Sequence, residues 1–356
     1  MLRITGAFAV VCLCGGGIAA QNPQVPEPTL LTRDGGRVSW YHGDKHDLIA
    51  FDAVVDNKNK NTEVFIMAPD GSGRRCVTCE AGTPKGFVGQ PSWHPDGEQM
   101  VIQVESENSS HRYYNHMSWG FDSDLWLVSR DGRGAVKIWD TPAGHAALHP
   151  HFSSDGRTLI WAERIPTGQK IRRLIVRALA PGGENQWTGW QIHLADFDAR
   201  SRQLSNHRRI KPNGEGFYET HSLRDGRIVY SYSKGESYVD DIFAVSPTGN
   251  NPQNLTSSPT TWEEHGAFSS RGDLAFLSSR VDPRLKFPDS RPADLRTEIF
   301  VRQDGKIRQL TDMNRRKGKK IVVSDFDWDR DGRRIAFQVA VLDASVNPEI
   351  WLVTVR

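Results

Sequence analysis

The stretch His149-Pro150-His151-Phe152-Ser153-Ser154-Asp155-Gly156 decides the fold, because versions of it recur along the chain. A second clear copy is Gln90-Pro91-Ser92-Trp93-His94-Pro95-Asp96-Gly97, and a short apolar run follows each of the two. Further copies surround Asp225-Gly226, Arg271-Gly272 and Asp331-Gly332, and a degenerate first copy is Ser39-Trp40-Tyr41-His42-Gly43. Intervals of roughly 45 to 70 residues are typical of a supersecondary unit that must stack on its neighbours to bury its apolar faces.

Each copy begins a unit of four predicted strands, a to d. Strand a carries the Trp or Phe of the repeat, and the Asp-Gly dipeptide forms a tight turn because it favours positive φ. Strand b is the apolar run, such as Leu159-Ile160-Trp161. Strand c is the most regular, as in Asp124-Leu125-Trp126-Leu127 and Glu298-Ile299-Phe300-Val301, and a second turn leads to strand d.

The two ends of the repeat array complement each other. The last unit stops after its strand c, at Trp351-Leu352-Val353-Thr354-Val355, whereas Thr29-Leu30-Leu31-Thr32 looks like a strand d without a unit. Pairing the two closes a ring and removes an exposed edge. The sequence therefore predicts an all-β fold, a six-bladed β-propeller of four-stranded blades whose last blade is completed by an N-terminal strand.

The first twenty residues have the pattern of an export signal. Arg3 is followed by the apolar run Ala7 to Leu13 and by Ile18-Ala19-Ala20 ahead of Gln21. We expect residues 1–20 to be removed after Ala20, residues 21–356 to form a single propeller domain without a transmembrane segment, and the mature protein to be periplasmic or secreted. A lipoprotein leader is the alternative, because Cys12 and Cys14 lie here, but neither follows a convincing lipobox.

Two cysteines remain after the leader, in the spacing Cys76-x-x-Cys79. In an oxidising compartment this pair predicts a local disulfide at a strand end. A structural zinc site would need two more ligands of a matching kind. A redox-active pair would be expected within a thioredoxin-like βαβ pattern, which this sequence lacks.

The repeat phrase also carries a family resemblance. The pattern Pro-x-Trp-x-Pro-Asp-Gly at Pro91 to Gly97, with the Leu-Thr strands, resembles the PD40 (WD40-like) repeats of TolB-like propellers. The resemblance covers nearly all of the mature chain and is specific for fold but weak for function. It implies a monomeric, non-catalytic exported propeller that binds a protein or a glycan. Prolyl-oligopeptidase relatives carry similar propellers but add a hydrolase domain with a Gly-x-Ser-x-Gly motif, which is absent here.

Loop lengths divide the predicted propeller into two faces. The a–b and c–d connections are tight turns on one face, and the long insertions all fall in the b–c and d–a connections on the other, which predicts a binding face there. Candidate ligand contacts on that face are His111, Tyr113, Tyr114 and Trp119 in one insertion, and Arg315, Arg316 and Lys317 in another. The cations favour an anionic glycan or protein, although a solvated flexible loop explains them equally well. The formal charge of +2 says little about partners, and nucleic acid is not expected for an exported protein without an RNA- or DNA-binding motif.

One position per blade suggests chemistry. Three residues before the aromatic of strand a, at the expected channel rim on the loop-rich face, stand Arg37, Gln90, His149, Glu219, His265 and Asp325. Imidazole and oxygen ligands suit a divalent ion such as Mn²⁺, Fe²⁺, Zn²⁺ or Ca²⁺, so a metal site of His149, His265, Gln90, Glu219 and Asp325 is predicted. The alternative is a polar, water-filled channel mouth without an ion.

This ring allows a second functional hypothesis, an enzyme. In residue types only, it resembles oligogalacturonate lyases, which are propellers with a manganese site made by His and Gln. That resemblance implies β-elimination on acidic oligosaccharides: a metal on His149, His265 and Gln90 would neutralise a uronate carboxylate. His221 or Arg37 would then act as the base that removes the adjacent proton.

Overall fold

A computed structural model describes residues 25–107, 109, 120–166, 188–234, 239–290, 294–318, 320–341 and 347–355. Within these residues the chain forms six antiparallel sheets of four strands each, which are the blades of a propeller. The predicted leader lies outside the described residues. Among the described residues, no helix combines the length and the apolar character needed to cross a bilayer.

The blades follow one another along the chain, and each uses its strands in the order a, b, c, d. Blades 1 to 3 are β2 (Val38–Trp40), β3 (Ile49–Asp56), β4 (Asn61–Met67), β5 (Arg75–Cys76); β6 (Val88–Trp93), β7 (Gln99–Glu105), β8 (Ser123–Ser129), β9 (Ala135–Trp139); and β10 (Ala146–Phe152), β11 (Thr158–Arg164), β12 (Trp190–Asp198), β13 (Gln203–Ile210).

Blades 4 to 6 complete the ring in the same manner. They are β14 (Phe217–Arg224), β15 (Arg227–Ser233), β16 (Asp241–Val245), β17 (Gln253–Asn254); β18 (Glu263–Phe268), β19 (Leu274–Ser278), β20 (Glu298–Gln303), β21 (Lys306–Gln309); and β22 (Ile321–Trp328), β23 (Arg334–Val341), β24 (Glu349–Thr354) with β1 (Thr29–Thr32). A one-turn 3₁₀ helix (Ser279–Val281) follows β19, and a short α-helix, α1 (Met313–Lys317), precedes β22.

The N-terminal strand closes the ring as predicted. β1 pairs antiparallel with β24, with Thr29 opposite Leu352, so the fourth strand of the last blade comes from the other end of the chain. This pairing gives hydrogen-bond partners to an edge that would otherwise be open to other chains. The predicted six-bladed all-β architecture and its closure are confirmed.

The core lies between neighbouring blades. Every residue of β7 is buried, because a middle strand is covered by the adjacent blade on each of its faces. A near-continuous apolar run is what such a strand requires. Large side chains fill the spaces between blades, and Trp40, Trp161, Trp190 and Trp328 are fully buried. Each such burial contributes on the order of 3 kcal/mol to stability.

The Asp-Gly turn of blade 3 packs against His94, the first residue after strand a of the preceding blade. Gly156 has φ of +72°, and a Cβ there would lie 2.5 Å from Nε2 of His94. The same Nε2 lies 3.1 Å from the carbonyl oxygen of Gly156. Glycine is therefore required at this turn both for its left-handed backbone and for the close approach of the neighbouring blade.

Candidate functional site

The predicted ring position lies in a β-bulge within strand a, not at the start of the strand. In β10 the register shifts between Leu148 and His151, so His149 and Pro150 share the place opposite a single residue of β11. His149 has φ of +50°, and Gln90, His265 and Asp325 have φ of +48°, +51° and +34° in their own blades. Such a backbone costs about 1–3 kcal/mol in a residue other than glycine, and bulges commonly redirect a side chain at a functional site.

Blade 4 departs from this register. Ser222 pairs with Val229, whereas in blade 3 the equivalent pair is His151 with Ile160, so the a–b hairpin of blade 4 is shorter. Counting along strand b, Thr220 and not Glu219 is the equivalent of His149. Thr220 donates a hydrogen bond from Oγ1 to the carbonyl oxygen of His149 (2.7 Å).

Three imidazoles converge in the channel. One ring nitrogen from each of His149, His221 and His265 lies within 4.8 Å of the other two. The ring centroids of His149 and His221 lie 5.1 and 5.0 Å from that of His265. Glu219 joins them despite its shifted register, because its Oε1 lies 2.8 Å from Nε2 of His149 and 3.8 Å from Nε2 of His265. His221, predicted as a base, thus lies among the candidate metal ligands.

Arg37 does not suit the predicted role of base. Its Nη1 lies 3.3 Å from Oδ2 of Asp52, and its Nε lies 4.0 Å from Oδ1 of Asp325. A guanidinium held between two carboxylates stays a donor and has no acceptor site for a proton. Arg37 therefore balances buried negative charge beside the histidines.

The amide of Gln90 links two blades. Its Oε1 accepts a hydrogen bond from the backbone N–H of His149 (2.9 Å), and its own backbone N–H donates to Oδ2 of Asp52 (3.0 Å). These bonds position the bulge of blade 3. Metal binding by Gln90 would compete with the first of them, so the structure favours a positioning role over the predicted ligand role.

The charges of the ring stabilise one another. Burial favours the neutral form of His265, but the carboxylates of Asp325 and Glu219 outweigh it and raise its pKa to about 10. Asp325 Oδ1 lies 3.3 Å from Nε2 of His265. Burial opposes ionisation of Asp325 and Glu219 too, yet the neighbouring histidines lower the pKa of both carboxyls. Burial and the adjacent imidazoles lower the pKa of His221 well below its usual value, so His221 is neutral.

A cavity of about 310 Å³ extends from this ring. Within the described part of the chain, its lining consists of strand-a residues from the ring position onward and of the a–b turns. Six of the twelve histidines of the chain line it, namely His42, His94, His149, His151, His221 and His265. The cavity therefore opens on the face of the tight turns, which corrects the expectation that the ring faces the loop-rich side. The reason is that the ring position lies within strand a, so the rest of the strand forms a wall leading to the turns.

The loop-rich face gives less support to a binding site than the sequence predicted. His111, Tyr113, Tyr114 and Trp119 lie outside the described residues. The predicted cationic loop contains α1, and its charges are paired locally: Arg315 and Arg316 contact Asp312, Arg316 also contacts Glu27, and Lys317 lies 2.6 Å from Glu349. Because nearby carboxylates neutralise them, these three cations do not form a free anion-binding patch.

The cysteine pair lies at the outer strand of blade 1. Cys76 and Cys79 form a disulfide, and the backbone N–H of Cys79 points to Sγ of Cys76 (3.0 Å). Between them, Thr78 Oγ1 accepts a hydrogen bond from the backbone N–H of Val64 in strand c (2.8 Å). The pair thus stands at a strand end, where the sequence predicted a local disulfide.

Comparison with solved structures finds propellers. TolB from Acinetobacter baumannii is 14% identical over 83% of this chain and 60% of that one, with a TM-score of 0.48. The putative TolB from Agrobacterium tumefaciens is 14% identical over 76% and 75% of the two chains, with a TM-score of 0.48. The β-propeller domain of the Trilobed protease from Pyrococcus furiosus is 13% identical over 89% and 82%, with a TM-score of 0.46.

These similarities concern the fold alone. The chain is a six-bladed propeller with an N-terminal closing strand, and TolB proteins are among the structures that it resembles. It spans about 60% of the length of the Acinetobacter TolB. No protein-family model matches the sequence. No curated protein matches it either.

Proposed function

We propose that this propeller binds a divalent transition-metal ion in its channel and, through that ion, an anionic group of a ligand in the cavity. The ligands would be the imidazoles of His149, His221 and His265 and the carboxylate of Glu219. The observation that carries the proposal is the convergence of three imidazoles from blades 3, 4 and 5 within 4.8 Å. At metal–nitrogen distances of about 2.0–2.1 Å, tetrahedral ligand atoms lie roughly 3.3 Å apart, so a contraction of at most about 1.5 Å between ligand atoms would complete the site.

The chemistry of the donors fits this ion. Imidazole suits zinc, copper, iron and nickel, and one carboxylate adds negative charge. A metal-binding histidine generally uses its second nitrogen in a hydrogen bond that orients the ring. Nε2 of His221 lies 2.6 Å from Oγ of Ser231, which leaves Nδ1 as the ligand atom.

The cavity fits a small anionic ligand. Its volume of about 310 Å³ lies at the lower end of the range typical of small-molecule sites. Arg224 lines it, and among the described residues this guanidinium forms no ion pair and donates one long hydrogen bond, to the carbonyl oxygen of Phe268 (3.4 Å). A metal ion at one end and a guanidinium along the wall would together attract a carboxylate or a phosphate.

Cobalt(II) titration of the metal-free protein tests the metal site. We expect visible absorption bands characteristic of imidazole coordination to saturate at about one equivalent, and we expect His149→Ala and His221→Ala to abolish them. His207→Ala is the matched control, because this exposed histidine on β13 lies outside the cavity. A wild-type protein that shows no such bands would contradict the proposal.

A second candidate function, β-elimination on an acidic oligosaccharide, is favoured by His151. This imidazole lines the cavity, and its buried Nε2 has no hydrogen-bond partner among the described residues. Nε2 of His151 would take the proton from the carbon next to the uronate carboxylate. The C–O bond at the β carbon would break, a carbon–carbon double bond would form, and the leaving oxygen would receive a proton from water.

Incubation of the metal-loaded protein with pectic oligomers tests this reaction, because the unsaturated product absorbs in the ultraviolet. We expect absorbance to grow with wild-type protein and not with His151→Ala, while both proteins keep the cobalt spectrum. Absence of product from metal-loaded wild-type protein rules out the lyase and leaves the binding function intact.

A further inference from the structure

A guanidinium lines the cavity at some distance from the three imidazoles. His221 and Arg224 both belong to β14 and both line the cavity. They are three residues apart, which is roughly 10 Å along a strand. The guanidinium of Arg224 reaches the carbonyl oxygen of Phe268 (3.4 Å), the last residue of β18 and three positions after His265. The guanidinium therefore lies toward the turn end of the cavity, and the histidines lie toward the other end.

The charge of Arg224 is not matched by a carboxylate of the cavity. Among the described residues, Arg224 is the one Lys or Arg of the lining, and it forms no ion pair. The two carboxylates of that lining have other partners: Asp325 lies 3.3 Å from Nε2 of His265, and Asp327 accepts a hydrogen bond from the backbone N–H of Trp40 (2.8 Å). A guanidinium has five N–H donors, and the long bond to the neighbouring blade uses one. An anionic group of a ligand would occupy the others.

One anionic group cannot contact both ends of the cavity. Ser222 and Leu223, which are uncharged, stand between His221 and Arg224 on β14. A metal ion lies about 2 Å from its ligand nitrogens, so an oxygen bound to the ion stays beside the histidines. A carboxylate spans only the short distance between its own two oxygens. A ligand that uses both ends therefore needs two anionic groups joined by a spacer.

We propose that the ligand of this cavity is a short dianion, with one anionic group on the metal ion and the second on Arg224. This inference rests on the proposed function, because the first group requires the ion. The second group is a carboxylate or a phosphate, since a guanidinium binds both in a bidentate manner. The cavity volume of about 310 Å³ restricts the spacer to a short chain. Arg224 then determines specificity, because it distinguishes a dianion from a monoanion of the same length.

Binding of small acids to the cobalt-loaded full-length protein tests this inference. Calorimetry compares the dicarboxylates from succinate to suberate with monocarboxylates of the same chain lengths, and ω-phosphonocarboxylates show which second group is preferred. We expect a dianion of suitable length to bind about tenfold more tightly than its monocarboxylate, because a hydrogen bond between charged partners contributes that much. The preference should disappear in Arg224→Gln and remain in part in Arg224→Lys, which keeps the charge.

Arg227→Gln is the matched control. Arg227 lies on the same hairpin, and its guanidinium carbon stands 5.5 Å from the centre of the Phe268 ring. It is exposed, however, and does not belong to the described lining of the cavity. Its replacement should leave the preference for dianions unchanged. The cobalt bands of each variant report whether the metal site is intact.

The results distinguish this inference from the proposed function. A preference for dianions that is lost in Arg224→Gln and kept in Arg227→Gln supports the two-ended ligand. Equal affinity for dianions and monocarboxylates at every length, no binding of either by cobalt-loaded wild type, or a preference that persists in Arg224→Gln overturns it and leaves the metal site. Absence of cobalt bands from the wild type overturns the proposed function and this inference together.

Discussion

Glu163 allows the sharpest test of how the blades are held together. This carboxylate of β11 is 1% exposed and lies between blades 2 and 3. It accepts hydrogen bonds from Nε1 of Trp139 (3.0 Å) and Nε1 of Trp161 (2.9 Å), and its Oε1 lies 2.8 Å from Nδ1 of His145. Nδ1 of His193 lies 3.2 Å from the other oxygen. The Glu163→Gln variant keeps the volume but turns an NH₂ group toward these donors.

The magnitude follows from the pKa of Glu163. Burial alone would raise this pKa, but the hydrogen bonds and charge of His193, with those of His145 and Trp161, lower it to about 2. Against an ordinary glutamate pKa of about 4.3, the ionised carboxylate contributes about 3 kcal/mol at pH 7. Because the folded-state pKa is depressed, this stability is present above pH 4.3 and is lost as the pH falls toward 2. At pH 3 about 1.4 kcal/mol remains.

Urea unfolding of wild type and Glu163→Gln at pH 7 and pH 3 measures this difference. We expect the free energy of unfolding of the variant to be about 3 kcal/mol lower at pH 7, and the gap to narrow at pH 3. Glu98→Gln is the control, since the half-exposed Glu98 pairs with Lys45 and Arg130 at the surface and its loss should change little. A gap of the same size at both pH values would refute the reasoning.

Three further predictions concern the frame that carries the site. Gly156→Ala should lower the free energy of unfolding by about 2 kcal/mol, because Gly156 has a positive φ and the preceding blade lies close to it. Gly305→Ala is the control: its turn is equally left-handed but open, so the cost should be about 1 kcal/mol. Thermal melting compares the two variants. Replacing Cys76 and Cys79 together by Ser should cost about 2 kcal/mol by chain entropy in non-reducing urea unfolding, and a wild type unaffected by reductant would contradict this. Deleting Thr29–Thr32 should expose the edge of the last blade and cause self-association, which light scattering detects and which a monodisperse deletion variant would disprove.

The fold could be predicted from local patterns, and so could the residues from which the site is drawn. Blade number follows from the recurring Asp-Gly phrase, and closure follows from the complementary ends at Thr29–Thr32 and Glu349–Thr354. These features depend on turn chemistry and on apolar runs, which neighbouring residues specify. Of the six residues predicted for the ring, four are linked by direct contacts: Glu219 lies beside His149 and His265, and His265 lies beside Asp325.

The roles of these residues could not be read from alignment of the repeats. A short hairpin in blade 4 changes the register, so Thr220 occupies the ring position. Glu219 and His221, which precede and follow Thr220 in the chain, are the residues that contact His149 and His265. The bulges and their positive φ values set the direction of each side chain, and the sequence pattern contains no signal for them beyond the recurring phrase itself. His221 supplies the third imidazole of the site. The one sequence feature that could indicate this is its distance from the a–b hairpin of blade 4, and the repeat pattern does not give the length of that hairpin.

Turn residues, apolar periodicity and the two complementary ends were enough to specify a closed six-bladed ring with a row of polar residues along its inner strands. Ring closure then decided which of those residues meet, which of them are neutralised by neighbours, and on which face the cavity opens. The physical reason is that the repeat pattern specifies a position along one strand, whereas contacts across the channel depend on six separate strands. Their registers and bulges are set by packing between blades.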